Sequence, residues 1–170
     1  DETTGQYYYH MFSKEQPDLN WRNPRVRQAI RDVFRFWMER GVDGFRLDVF
    51  NVYFKDDHLR ENPRRLGRRP FDSQVHIYDC DRPEMIPLLQ EIRALLDSYP
   101  ERYAVGETFL STTPKAAGYA RPGLLHAAFD FSFLQCKWDP AAFLKTIQAI
   151  DSQYSQDGWP TYVLGNHDVD

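Results

Sequence analysis

The chain has 170 residues, enough for one domain with a sizeable core, and its 42% hydrophobic and 15% aromatic content belongs to an ordered globular protein. A net charge of −4 gives no electrostatic footprint for nucleic acid, and no run has the length and apolarity of a transmembrane helix, so neither nucleic acid nor a membrane is expected as a partner. Its two cysteines, Cys80 and Cys136, stand in no metal-ligand spacing, so free thiols are expected rather than a disulfide framework or a zinc site. No secretory signal is evident, and a cytoplasmic location is the expectation, although the chain opens on Asp1-Glu2 rather than on methionine.

Residues 5 to 12 read as an aromatic-rich strand, and Ser13 to Asn20 as a connecting loop carrying Gln16-Pro17-Asp18-Leu19-Asn20. Asn23 as N-cap and Pro24 at the first helical position then start a helix. Its apolar residues Val26, Ile30, Val33, Phe34, Trp37 and Met38 keep helical spacing until Gly41. The chain passes directly into Gly41 to Asn51, which has the Val, Phe and Leu content of a buried strand but contains Arg46 and Asp48. Side chains alternate along a strand, so Gly44, Arg46 and Asp48 share one side and Phe45, Leu47 and Val49 the other. An arginine and a carboxylate at the C-terminal end of a strand suit a nucleophile held ionised; they equally suit a structural ion pair.

Residues 51 to 82 form a long polar segment with the arginine cluster Arg60, Arg64, Arg65, Arg68 and Arg69. Loops of this length commonly cover a functional site, and the cluster reads either as a phosphate holder or as a solvated loop. A second helix is expected from Pro83 to about Ser98, with Asp81 and Glu84 spaced as a capping box and Ile86, Leu89, Ile92, Leu95 and Leu96 inward. Tyr103 to Glu107 is then a short strand ending in a carboxylate. A weaker helix follows around Thr113 to Ala120, then a Phe-rich strand over His126 to Phe133. Asp139-Pro140 caps a helix to about Gln153 with Phe143, Leu144, Ile147 and Ile150 on its apolar face, and Thr161 to Gly165 is a strand leading to Asn166-His167-Asp168. Alternating helix and strand argues for an α/β fold with a parallel sheet and helices outside.

Asp48, Glu107 and Asp168 fall at near-equal intervals, so a strand-helix repeat can bring these strand ends to one rim. Glycoside hydrolysis needs paired carboxyl groups of opposite protonation, one to attack the sugar carbon and one to release the leaving oxygen. Reading His167, Asp168 and Asp170 as metal ligands is disfavoured, because adjacent residues at a strand end point different ways; no metal or cofactor is expected.

Gly44-Phe45-Arg46-Leu47-Asp48, Gly106-Glu107-Thr108 and Asn166-His167-Asp168 resemble, in order and spacing, the second, third and fourth conserved regions of the alpha-amylase family of glycoside hydrolases. Gln16 to Asn20 resembles the additional segment of its alpha-glucosidase and oligo-1,6-glucosidase branch. The resemblance implies a partial (β/α)8 TIM barrel containing strands four to seven. Residues 1–20 would be the end of the inserted domain B and its return segment, and 21–170 part of the catalytic barrel. By similarity, Asp48 is the nucleophile, Glu107 the acid and then base, and Asp168 the stabiliser of the transition state. Arg46 would orient Asp48, while His167, Asn166 and Val49 would face the substrate.

The implied activity is that of a retaining, exo-acting α-glucosidase on small oligosaccharides. Asn51 and Val52 stand where many endo-acting amylases carry Lys-His, and Val49 after the nucleophile leans toward α-1,6 linkages. Trehalose-6-phosphate hydrolases and glucosyltransferases share the pattern. A non-catalytic amylase-like partner protein fits less well, since all three acids are present. The family's first conserved region and the eighth strand have no counterpart, so the chain is expected to be a fragment that needs the remainder of its own barrel and is inactive alone.

Overall fold

A computed structural model describes residues 1–109, 111–154 and 158–167. Four strands form one parallel sheet in the order β1-β2-β3-β4: β1 (Gly44–Leu47), β2 (Tyr103–Gly106), β3 (Ala127–Asp130) and β4 (Thr161–Tyr162). Between them run α1 (Pro24–Met38) before β1, α2 (Met85–Asp97), α3 (Thr113–Tyr119) and α4 (Pro140–Asp151). Parallel neighbours joined by helical crossovers place every strand's C-terminal end at the same rim. The α/β alternation expected from the sequence is therefore present as part of a barrel wall.

Local chemistry fixes where the helices begin. The Asn23 side chain accepts from the Arg25 amide at 2.9 Å with Pro24 at the first helical position, and Asp139 accepts from Ala142 N at 2.9 Å in the same way for α4. The capping box expected at α2 does not form. Glu84 is the N-cap but its side chain accepts from Arg22 and makes no capping bond, and Asp81 instead accepts from Asn51, Lys115 and Tyr119. Across the helical layer, Glu91 of α2 accepts from Arg27 and Arg31 of α1 at 3.0 and 3.1 Å.

The core lies between the sheet and α1 to α3. Phe34 and Met38 of α1 meet the sheet, with Phe34 edge-on to Phe45 at 4.6 Å between centroids. Met85, Leu88, Leu89, Ile92 and Leu96 of α2 are buried around Phe50, which is inaccessible to solvent. The apolar faces of α1 and α4 are only partly used: Val33, Trp37 and Leu144, expected inward, are exposed, and Ile150 is the buried residue of α4. The strand expected over residues 5 to 12 is absent; that segment is turn and irregular chain. It is held by Asp18, which accepts from Met11 N at 2.7 Å and pairs with the buried Lys55 at 2.9 Å.

Beyond a 3-10 turn at Phe50–Val52 the long segment after β1 is also irregular, and the buried Asp56 ties its start to its end. Asp56 accepts from Arg60 Nε at 2.9 Å and Nη2 at 2.5 Å, and its amide donates to Tyr78 O at 2.6 Å. Arg69 Nε reaches Asp72 at 3.0 Å, and Arg65 Nε the Asp72 carbonyl at 2.8 Å. Several arginines of the cluster thus serve the loop's own folding.

Gly106 sits where a Cβ would lie 2.3 Å from Phe50 Cε1 and 2.6 Å from Leu125 Cδ1. Gly106→Ala should therefore overpack the core and lower stability by about 1–3 kcal/mol, read as a shift of the urea midpoint at unchanged slope. The Arg60 hydrogen bonds hold the Asp56 carboxyl well below the usual carboxylate range, against the opposing effect of burial. A depressed folded-state pKa stabilises above the unfolded value of about 3.9 and is lost as pH falls through the folded one. The melting-temperature gap between wild type and Arg60→Gln should accordingly be full at pH 7 and shrink below pH ~4; a gap independent of pH would contradict the pairing.

Candidate active site at the C-terminal rim of the sheet

The parallel register pairs Arg46 with Val105 and Leu47 with Gly106, and the ladder extends one step further as Glu107 N donates to Leu47 O at 2.9 Å. Asp48 and Glu107 consequently leave neighbouring strands side by side. Arg46, within β1, joins them: Nη1 donates to Asp48 Oδ1 at 2.7 Å and Nη2 to Glu107 Oε2 at 2.5 Å. A planar guanidinium offers its two amino groups in a fixed fork, so each carboxylate is held in direction as well as distance. The two acids differ in setting. The Asp48 side chain is 68% exposed and that of Glu107 9%.

Electrostatics around the pair follow from this packing. Burial pulls the Arg46 pKa down, but the Glu107 and Asp48 carboxylates outweigh it, and the guanidinium ends up above its ordinary value. The partly buried Tyr53 phenol is pushed well up, first by desolvation and then by the Asp48 charge. It stays a neutral neighbour of the site, stacked on Trp21 at 4.4 Å.

Val49 follows Asp48 with φ 38° and ψ 40°, a left-handed conformation that β-branched residues avoid. The strict alternation expected along this stretch therefore ends at Asp48. Val49, predicted by alternation to lie with Phe45 and Leu47, instead lines the cleft beside Asp48, and its amide approaches Glu107 Oε2 at 3.4 Å.

That cleft has a volume of about 620 Å³ and is bordered by Asp48, Val49, Glu107, Asn166 and His167, together with Phe12, Gln16, Thr108, Phe109, Phe131 and Leu134. Five sequence-predicted site residues thus share one space, with Arg46 bridging its two acids; Asp168 lies outside the described residues. Thr108 is anchored by its hydroxyl on Phe129 O at 3.0 Å. The aromatic wall was not legible in the sequence. Phe109 meets Phe12 at 5.4 Å and Phe71 of the long loop at 5.6 Å, contacts across segments with no shared periodicity. Gln16 had a signal in its Gln-Pro-Asp-Leu-Asn segment. Among the described residues no group of three or more His, Cys, Asp or Glu is placed to hold a metal ion, and no helix is long and apolar enough to cross a membrane.

The catalytic-domain model of alpha amylase matches residues 1–170. The chain belongs to the alpha-amylase family. A probable alpha-glucosidase of Rhizobium meliloti is 39% identical over 99% of this chain and 33% of its own length. An oligo-1,6-glucosidase of Parageobacillus thermoglucosidasius is 36% identical over 99% of this chain and 32% of its own. Among solved structures, an alpha-glucosyl transfer enzyme superposes with a TM-score of 0.87 at 39% identity, over 96% of this chain and 32% of that one. This alpha-amylase family chain therefore spans about a third of the length of the relatives it matches.

Removing the bridge should be costly because it leaves Glu107 buried and without its cation. Arg46→Met is expected to lower stability by about 1–3 kcal/mol, measured by chemical denaturation, whereas Arg46→Met as stable as wild type would show that the bridge does not hold the strand ends.

Proposed function

We propose that the chain supplies strands four to seven of a retaining α-glucosidase of the alpha-amylase family. Residues 1–20 then correspond to the end of an inserted domain and residues 21–170 to part of the catalytic barrel. The observation that carries this reading is the single guanidinium of Arg46 shared by Asp48 and Glu107, both of which line one sugar-sized cleft. The exposed Asp48 is the nucleophile: its carboxylate attacks the anomeric carbon while the bond to the leaving oxygen breaks, giving a covalent glucosyl-aspartate. Glu107 gives its proton to that oxygen and later takes one from the attacking water. Asp168 steadies the transition state, and Asn166 and His167 hold sugar hydroxyls. A carboxyl pair joined through one guanidinium suits the separation of about 5–5.5 Å that retaining enzymes use.

The substrates are short oligosaccharides with a terminal α-glucosyl unit. Val49 borders the cleft where linkage would be sensed, and relatives named oligo-1,6-glucosidase support α-1,6 bonds beside α-1,4. Transfer to a sugar acceptor through the same covalent intermediate is the second reading, supported by the 39% identity to an alpha-glucosyl transfer enzyme. Product analysis of isomaltose and maltose digests with and without added acceptor separates the two.

In the complete barrel protein, Asp48→Asn should lower kcat on an aryl α-glucoside at least about a thousandfold with an unchanged melting temperature; retained turnover would remove Asp48 as nucleophile. Glu107→Gln should lose about 10²–10⁴-fold on substrates with poor leaving groups and much less on activated ones, which need no proton.

A further inference from the structure

We propose that Asn51 is a positioning residue that sets the separation of the two catalytic strand ends. β1 stops at Leu47 and the left-handed Val49 turns the chain out of the sheet, so no ladder can run on beyond the Glu107 N bond to Leu47 O. Asn51 takes the ladder's place. Its side-chain Oδ1 accepts from Phe109 N at 2.7 Å and its Nδ2 donates to Phe109 O at 2.8 Å, so one amide satisfies both backbone groups of a residue two beyond Glu107. The Asn51 residue is wholly buried.

A third segment closes the junction. Nδ2 also donates to Asp81 Oδ1 at 3.0 Å, and the Asp81 amide donates back to Asn51 O at 2.7 Å. Asp81, itself at φ 49°, is fixed in turn by the Tyr119 hydroxyl at 3.0 Å and Lys115 Nζ at 2.6 Å. The two hydrogens on Nδ2 are shared among Phe109 O, Asp81 Oδ1 and Cys80 Sγ, the last at 3.2 Å, while Oδ1 meets an N–H, so the side chain donates and accepts at once as an amide does. Aspartate could not donate to Phe109 O and would set a second negative charge against Asp81; an apolar residue would remove the acceptor of the Phe109 N–H and leave its C=O with the Cys80 thiol at 3.5 Å. Because Asn51 lies three residues after Asp48, its bonds govern how far Glu107 and the Phe109 wall of the cleft stand from the nucleophile.

This inference rests on the glycosidase reading. The test uses Asn51→Asp in the complete barrel protein, with α-glucosyl fluoride and whichever of maltose or isomaltose the wild type cleaves faster. A displaced Glu107 harms the step that needs its proton, so kcat/KM on the disaccharide should fall about 100-fold and on the fluoride less than about tenfold, changing their ratio at least about tenfold. If Asn51→Asp does not fold, Asn51→Ser, which keeps a donor and an acceptor, reads the same ratio. Wild-type turnover with an unchanged ratio in the folded variant overturns the positioning role alone. A wild type that turns over neither substrate overturns the glycosidase reading, and the inference with it.

Discussion

Everything at the rim depends on Arg46 holding two carboxylates at once. Two carboxylates side by side repel, and a cation between them offsets that cost. A lysine ammonium could neutralise the same charge but is a single point on a flexible stem, whereas the guanidinium fork prescribes two directions. The arrangement also demands that β1 and β2 lie in one register, because a slip of one residue would turn Arg46 to the helix side. Register in turn rests on small residues at the contact. A Cβ on Gly44 would lie 2.2 Å from Tyr103 O, on the partner strand itself.

The second constraint is where β1 ends. A left-handed valine costs on the order of 1–2 kcal/mol, and such strain persists when the surroundings over-determine it. Here the buried Phe50 pins the next residue between Gly106 and Tyr119, and Asn51 pins the one after. Between a strand fixed by its register and a turn fixed by Phe50 and Asn51, the chain at Asp48 and Val49 has little freedom. That directs the Asp48 carboxylate into the cleft instead of along the sheet.

Those features divide what the sequence discloses from what it hides. Helix starts at Asn23-Pro24 and Asp139-Pro140 were readable, because a cap and a proline act within three residues of one another. The Asp81-Glu84 cap was misread for a physical reason: Asp81 had stronger partners in Lys115, Tyr119 and Asn51, none of them near it in sequence. Aromatic content alone suggests a strand at residues 5 to 12, yet among the described residues that segment has no partner strand and is shaped by Asp18 and Lys55. The motifs that carry the candidate site residues were legible as motifs, while the roles of Asn51 and Phe109 were not. A buried amide bonded to another segment's backbone leaves no periodicity to find.

Helices α1 and α4 carry amphipathic patterns, yet Val33, Phe36 and Trp37 on the first and Leu144 on the last stand open. These lie on the helices that flank the outermost crossovers, next to β1 and β4, the two edges of the sheet. A parallel sheet is stable when both faces are covered and its edges are paired. Part of the exposed apolar surface therefore lies where a closed barrel would add neighbours, and the relatives are about three times as long as this chain. Although β1 is an edge strand, the β1–β2 pair already has its register, its core and its bridged acids, so the two carboxylates of the cleft are placed by contacts within this chain.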